Sequence, residues 1–250
     1  MEKEVYDQFF RAEEVHWWFR ARRRVIRSLL NDLLPPKKLA IADVGCGTGG
    51  MLSLLAGYGE VTGVDEAPEA REYCRRRGFD RILTPTEWQA VPERYDLVTA
   101  FDVVEHVADD AGFLRSMAER LAPGGHLVVT VPAYMFLWST FDEMNHHQRR
   151  YNRKTLRAAF AAAGLTLSRL THFNAFLLPP MVVVRLAEKL LKSDPTDPQA
   201  KQEALERWFR VGPLNGALEG VFAAERHWLA RADFPAGSSI FAVAQPEAAR

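Results

Sequence analysis

Cysteine is almost missing from this chain: Cys46 and Cys74 are the only two in 250 residues, and they make no metal-type paired spacing. That excludes a disulfide-stapled or zinc-scaffolded domain and suits a reducing compartment. No sign of charge predominates either, because 32 basic residues offset 32 acidic ones. A global field toward nucleic acid or an anionic membrane is thereby excluded, so any such contact must come from a local patch. Long hydrophobic runs are absent as well. The most apolar stretch, Ala175 to Val184, is about half the roughly 20 residues a spanning helix needs and contains Pro179 and Pro180. Residues 1–5 show no signal-like apolar core, and the expectation is a cytoplasmic protein. Internal repeats and low-complexity tracts are also lacking. The length suits one large α/β domain with additions.

What the chain does have is a glycine-rich stretch, Ala40 to Gly50, around which the rest can be organised. An apolar run ends in Asp43, glycines follow at 45, 47, 49 and 50, and Met51 to Leu55 resumes with helical spacing. This predicts a strand, a tight turn and a helix whose opening N–H groups face a ligand. Upstream, Glu4 to Leu34 is free of glycine and proline, and Val25, Leu29, Leu33 with Ile26, Leu30, Leu34 recur at helical spacing. Arg20, Arg23, Arg24 and Arg27 take the opposite face, a solvated stripe or a seat for an anionic group.

Downstream, strands are predicted at Glu60–Asp65, Arg81–Leu83, Tyr95–Phe101, His126–Val131, Leu165–Leu170 and Ser238–Ala244. Helices are predicted from Pro68 to Arg77, from Asp109 to about Leu121 and from Arg153 to Ala163, with Pro123-Gly-Gly125 as a turn. Alternation of this kind predicts a doubly wound, mostly parallel sheet. Residues 133–151 read as a long loop rich in aromatics, histidine and arginine. Residues 173–231 read as helical, with a polar linker at Ser193–Pro198.

The pattern Gly45-x-Gly47-x-x-Gly50 also satisfies the dinucleotide fingerprint, so an NAD-dependent oxidoreductase is one reading. Asp43 separates the alternatives. A carboxylate ahead of the turn repels a pyrophosphate and attracts an ammonium group, a preference of about 4 kcal/mol at 4 Å and an effective dielectric near 20. Asp65 lies 20 residues after Gly45, the separation at which an acidic residue reaches ribose hydroxyls. A ribose carrying a cationic amino-acid tail is therefore favoured.

At these residues the chain resembles the class I S-adenosylmethionine-dependent methyltransferases. The resemblance rests on Asp43-Val-Gly-Cys-Gly-Thr-Gly49, Gly63-Val-Asp65, Tyr95-Asp-Leu-Val with Val104-Glu-His-Val107, and Leu121-Ala-Pro-Gly-Gly-His-Leu-Val-Val129, in the family's order. It implies a Rossmann-like α/β fold with a seven-stranded sheet whose last strand is antiparallel. It also implies that Asp43, Gly45, Cys46, Gly47 and Gly49 hold the methionine end of the cofactor, that Asp65 binds the ribose, and that Glu66 flanks the adenine. Thr86 would line the adenine pocket, and Phe101 and Asp102 would lie beside the methionine portion. The group Asp102-x-x-Glu105-His106 further resembles the metal-coordinating group of ubiquinone-type O-methyltransferases; the expectation here is no metal.

Methyl transfer from a sulfonium is an in-line displacement that needs a positioned nucleophile, a base and exclusion of water. His106, His146 and His147 are the candidate bases, with Tyr151 and Arg150 to orient or neutralise an acceptor; Trp17, Trp18, Tyr134 and Trp138 are candidates for an apolar substrate wall. Capping and loop packing are the ordinary alternatives for all of these. The helical segment around Phe176 to Val184, followed by Arg185, Lys189 and Lys192, could form core, cover a lipid tail or lie on a membrane. The divisions expected are 1–36 as an N-terminal cap, 37–172 as the cofactor-binding core, 173–235 as a helical insertion and 236–250 as the final strand and tail. The function expected is methylation of a small-molecule or lipid-linked acceptor at a hydroxyl oxygen. An inactive cofactor-binding partner subunit is a further alternative, and nucleic acid is not expected as a partner.

Overall fold

The computed structural model describes residues 3–190, 206 and 208–247. The uninterrupted N-terminal stretch is two helices, α1 (Lys3–Val15) and α2 (Trp17–Leu33). His16 divides them as the N-cap of α2, its Nδ1 accepting from Trp18 N at 3.3 Å. The strands are β1 (Leu39–Val44), β2 (Gly59–Val64), β3 (Ile82–Leu83), β4 (Tyr95–Phe101), β5 (Leu121–Pro132), β6 (Leu165–Phe173) and β7 (Ser239–Pro246). They form one sheet in the order β3-β2-β1-β4-β5-β7-β6, parallel except for β7, which runs antiparallel to both β5 and β6. The doubly wound, seven-stranded architecture follows. Strand order reverses between β1 and β4, and a ligand crevice opens outside the carboxyl ends of strands at such a point.

Alternate residues of the central strands feed two cores. Val98, Val129 and Ala242 pack with Leu114 of α6 (Asp110–Ala118) and Phe160 of α8 (Arg153–Ala162) on one face. Leu97, Val128 and Phe241 pack on the other with Val25, Ile26 and Leu29 of α2 and Phe222 of α10 (Asn215–Leu229). Each such side chain contributes roughly 1.5–3 kcal/mol on burial, so the N-terminal helices are fixed to the sheet. Helices α3 (Leu52–Leu55), α4 (Pro68–Arg76) and α5 (Pro85–Ala90) flank β2 and β3 in the chain.

Three expectations are corrected. Helix α6 stops at Ala118, and Pro123-Gly-Gly125 lies inside β5 as an irregularity, where the register shifts between Tyr95↔Leu121 and Leu97↔His126. Gly124 takes φ +77° there, so the bend is absorbed without leaving the sheet. Residues 133–151 hold a 3₁₀ turn, Met135–Leu137, and helix α7 (Thr140–Met144), which replaces a loop because Ser139 and Asp142 form a capping box. Third, the arginine stripe of α2 is not simply solvated: Arg20 and Arg24 reach Glu219 of α10 at 3.2 and 2.9 Å. The expected linker Ser193–Pro198 and Lys192 lie outside the described residues, as do the side chain of Lys189 and the tail 248–250; α9 (Leu178–Leu190) precedes them.

Candidate active site

The glycine turn takes left-handed backbone where its sequence allows: Gly45, Gly47 and Gly49 have φ of +71°, +54° and +85°. A Cβ on Gly45 would lie 2.5 Å from Val103 Cγ2, so the close approach of the turn to the chain after β4 needs glycine there. Asp65, at the end of β2, spans the turn: its Oδ2 accepts from Gly47 N at 2.9 Å and its Oδ1 from Ala67 N at 3.0 Å. Burial pushes its carboxyl up, partly offset by those two N–H donors. The N–H groups of Gly45 and Cys46 go to Val64 O, and that of Gly49 to Cys46 O. These amides are thus spent inside the turn, and α3 is a single short turn of helix. What the loop offers a ligand is bare backbone for close approach. The Cys46 side chain is turned under the loop, its Sγ 3.7 Å from that of Cys74, and leaves only backbone to face a ligand.

Helix α1 closes the outer side of the loop. Glu13 accepts from Thr48 Oγ1 and from Arg77 Nη2, each at 2.7 Å, and its carboxylate occupies the space a side chain on Gly50 would need. Tyr6 of α1 sits in the field of Asp65: burial and then that carboxylate push its phenol up to about 12. No sequence signal marked Tyr6 or Glu13, since their role depends on how α1 docks.

At the end of β1, Asp43 is 2% exposed and its Oδ1 accepts from Thr99 Oγ1 at 2.6 Å. Burial raises its carboxyl to about 7, with Thr99 and Arg22 opposing. An arriving ammonium group would stabilise the ionised form of Asp43. At the end of β4, Asp102 takes φ +57°, and its carboxylate is held by Arg22 Nη2 at 2.6 Å and Thr130 Oγ1 at 3.0 Å. The buried Arg22 guanidinium lies 5.0 Å from the Trp18 ring and 5.7 Å from that of Phe101. Arg22 was missed in the sequence although a signal existed: it stands three, four and seven residues before Val25, Ile26 and Leu29, on the apolar face of α2.

Beyond β4, a 3₁₀ turn at Val104–His106 turns Glu105 inward. Glu105 is completely buried and neither of its carboxylate oxygens has a hydrogen-bond partner; burial, then Asp102, push its carboxyl far above the usual range. His106 packs edge-on against His147 with ring centroids 4.6 Å apart. Burial and His147 lower the His106 imidazole to about 4, so it is neutral at pH 7. His147 Nδ1 lies 2.9 Å from Asp142 Oδ1, and its Nε2 lies 4.0 Å from Glu105 Oε1. Asp142 also accepts from Arg150 Nε and Nη2 at 2.7 and 2.8 Å. Burial works to raise the Asp142 carboxyl, but His147 and Arg150 hold it well below the ordinary range. An ionised Asp142 orients the ring of His147 so that Nε2 faces the cluster. The ligand atoms of Glu105, His106 and His147 fall within 4.8 Å of one another, a donor set that fits a divalent cation. Asp102, which the spacing Asp102-x-x-Glu105-His106 had grouped with these residues, is instead committed to Arg22.

The remaining candidates are dispersed. His146, at φ +55°, is exposed on a turn, outside the cluster that its neighbour enters. Tyr151, expected to orient an acceptor, is buried with its hydroxyl donating to Asp110 Oδ2 at 2.8 Å, and burial and that carboxylate push its phenol up. Arg150, chelating Asp142, is not free to meet an acceptor. Trp17 leaves the expected wall for the core, against Phe222 at 6.3 Å, and Tyr134 is stacked on Phe136 and bonded to His172 Nε2 at 3.1 Å. Trp18 is near Arg22, whereas Trp138 is half-buried and its backbone N–H bonds Met135 O. Thr86 is exposed on α5, whose capping box is formed by Thr84 and Glu87, and Glu66 is exposed. Neither is drawn toward the loop.

A family model described as a methyltransferase domain matches residues 8–170. The chain belongs to the class I S-adenosylmethionine-dependent methyltransferase family. S-adenosylmethionine is the family's cofactor, and the glycine turn, Asp43 and Asp65 surround the crevice that would receive it. The ubiquinone biosynthesis O-methyltransferase of Proteus mirabilis is 33% identical over 138 residues, 47% of this chain and 56% of that protein. That of Methylobacterium sp. is 40% identical over 105 residues, covering 38% and 42%. The chain thus spans about half the length of the curated relatives it matches. An S-adenosylmethionine-dependent methyltransferase from Mesorhizobium loti shares the fold at a TM-score of 0.51 and 18% identity, over 86% of this chain and 95% of that one.

Proposed function

We propose that this methyltransferase moves the methyl group of S-adenosylmethionine to a hydroxyl oxygen of a small-molecule or lipid-linked acceptor. The observation that carries the reading is the cluster of the buried Glu105 with the partly buried His106 and His147, backed by Asp142, beyond the end of β4. A neutral alcohol or phenol is a poor nucleophile and must shed its proton as the carbon–oxygen bond forms. An amine acceptor has less need of such a centre. The ubiquinone biosynthesis relatives, being O-methyltransferases by name, support the same choice.

In this reading Asp43 and the turn from Gly45 to Gly49 hold the amino-acid end of the donor, and Asp65 exchanges a main-chain partner for the ribose hydroxyls. Phe101 and Trp18, with the Arg22 cation shared between their rings, line the methyl side and keep water out. The acceptor's proton passes to His147 Nε2, and Asp142 steadies the charge that develops. Methyl carbon and acceptor oxygen form one bond while the carbon–sulfur bond breaks, and S-adenosylhomocysteine leaves. Were a divalent cation bound, Glu105, His106 and His147 would hold it, and it would supply acidification of the acceptor hydroxyl. In this reading α1 and α2 serve as a cap over the donor, and the described helices between β6 and β7 as the acceptor-side cover. No helix of the described residues is long and apolar enough to cross a membrane.

Calorimetry with S-adenosylhomocysteine and with NAD is the first test. Saturable one-to-one binding of the former alone supports the reading, and binding of NAD alone overturns it. A screen of hydroxylated acceptors with methyl-labelled donor then identifies the substrate. Labelled products confined to amines would overturn the oxygen assignment.

A further inference from the structure

Helices α1 and α2 follow one another in the chain but are held by different forces. Seven side chains of α2 are buried, whereas among the described side chains of α1 only Ala12 is. The ring contacts of α1 come from Phe9, edge-on to Phe19 and Phe209 at 6.0 and 5.1 Å, and from Phe10, on Tyr73 at 4.9 Å. A helix with so little buried apolar surface belongs to the part of a fold that opens locally at low cost. The break between the two helices is pinned. His16 takes extended backbone there, and the Asn215 side chain of α10 accepts from Trp17 N at 2.8 Å and donates to Val15 O at 3.0 Å. A swing of α1 about residue 16 therefore leaves α2 seated on the sheet.

The ties from α1 to the glycine turn are polar and converge on Arg77. Gly78, at φ +87°, ends α4 and leaves Arg77 as its C-cap. The Arg77 side chain, 9% exposed, lies between the turn and α1: Nε donates to Thr48 O at 2.8 Å, and Nη2 to Phe10 O at 3.0 Å and to Glu13 Oε2 at 2.7 Å. Its guanidinium also meets Glu14 and sits 4.4 Å from the Phe10 ring. Glu13 completes the clasp by accepting from Thr48 Oγ1 at 2.7 Å. Thr48 itself stands between two constrained glycines: Gly47, whose N–H is held by Asp65, and Gly49, at φ +85°. One guanidinium fork thus grips the middle of the turn and α1 at once. Near the start of α1, Tyr6 lies in the field of Asp65. The helix therefore runs from the carboxylate assigned to the ribose to the turn assigned to the amino-acid end.

We propose that Glu13 and Arg77 are positioning residues for the donor: their clasp on Thr48 holds α1 closed over the glycine turn and sets the rate at which S-adenosylmethionine enters and S-adenosylhomocysteine leaves. The proposal rests on the seating of the donor at that turn and is independent of the acceptor. Both residues act through the placement of α1. An ion pair this enclosed loses its hold when either charge is removed, so one substitution unfastens the helix while the sheet stays intact.

The test is donor exchange in the full chain: release of labelled S-adenosylmethionine into excess unlabelled S-adenosylhomocysteine, and uptake of the label by ligand-free protein. Arg77→Met, which keeps the bulk of the side chain, and Glu13→Gln should each speed release about tenfold or more and speed uptake as well, because a lid slows passage in both directions. Faster release with unchanged uptake would mark a lost contact in place of a lid and overturn the proposal. So would wild-type rates in both variants, or a lower melting temperature with neither rate changed. Hydrogen exchange on the wild-type chain is a second measurement that needs no variant. Amides of α1 should exchange about tenfold or more faster than those of residues 25–30 in α2, and slow on saturation with S-adenosylhomocysteine. Equal protection of the two helices, with and without ligand, overturns the proposal. A wild type that binds no donor would remove the seating at the glycine turn together with the clasp, whereas donor binding with unaltered rates in the variants removes the clasp alone.

Discussion

The donor half and the acceptor half of the site are built by different physics. The proposed donor crevice is made of short local segments at strand ends: Asp43 at the end of β1, the glycine turn, and Asp65 after β2. Each is fixed by its own strand and by backbone geometry, and each shows in the sequence as a spacing. The acceptor side is assembled from distant pieces. Arg22 of α2 reaches Asp102 and Thr130, while His147 is aimed at Glu105 and His106 by Asp142 and Arg150. Such a centre depends on docking, and no periodicity announces it.

The sharpest way to break this contrast is His147→Ala. Turnover should fall about 10²–10⁴-fold with donor affinity unchanged in calorimetry, whereas an equal loss of donor binding would merge the two halves. Gly45→Ala comes next. Positive φ costs roughly 1–2 kcal/mol and the contact with Val103 roughly 1–3 more, so donor binding should fail and the melting temperature should drop on the order of 10 °C. A wild-type melting curve with intact donor affinity would show that the close approach is not needed.

Asp65→Ala should weaken S-adenosylhomocysteine binding roughly 10–100-fold, in line with hydrogen bonds to a charged group at about 1.5–3 kcal/mol, without changing circular dichroism. Unchanged affinity would remove the ribose assignment. Asp43 then predicts a pH effect of defined sign. Its carboxyl lies near 7 in the folded chain, above the ordinary value. The folded state therefore holds a proton that the unfolded state has lost between about 4 and 7. Over that window the group's contribution to stability declines as pH rises, while affinity for a ligand with an ammonium group rises through about 7. Asp43→Asn should flatten both profiles, and a pH-independent donor affinity in the wild type would contradict the electrostatic role. Smallest of all should be His146→Ala, within about twofold of wild-type turnover, because that residue is exposed to solvent.

The strands and the mostly parallel sheet were legible in the sequence because alternation and glycine turns are local signals, whereas the antiparallel last strand came from the family resemblance. Where a reading went astray, a contact from elsewhere in the chain decided it. Tyr151 and Arg150 were expected to orient or neutralise an acceptor, but Asp110 holds the hydroxyl of the one and Asp142 the guanidinium of the other, while Trp17, expected in a substrate wall, packs against Phe222 of α10. Of the adjacent histidines, His147 is turned inward by its bond to Asp142, while His146 takes positive φ and is exposed. Arg22 differs from these, because an arginine on the apolar face of α2 could have been noticed from spacing alone.

The most direct single measurement is the fate of a labelled methyl group. With S-adenosylmethionine as donor and an active hydroxylated acceptor, the label should appear on oxygen with the wild type and with His146→Ala, and nearly vanish with His147→Ala. Label found only on nitrogen or carbon, or full oxygen labelling by His147→Ala, would contradict a Glu105, His106 and His147 centre that serves O-methylation.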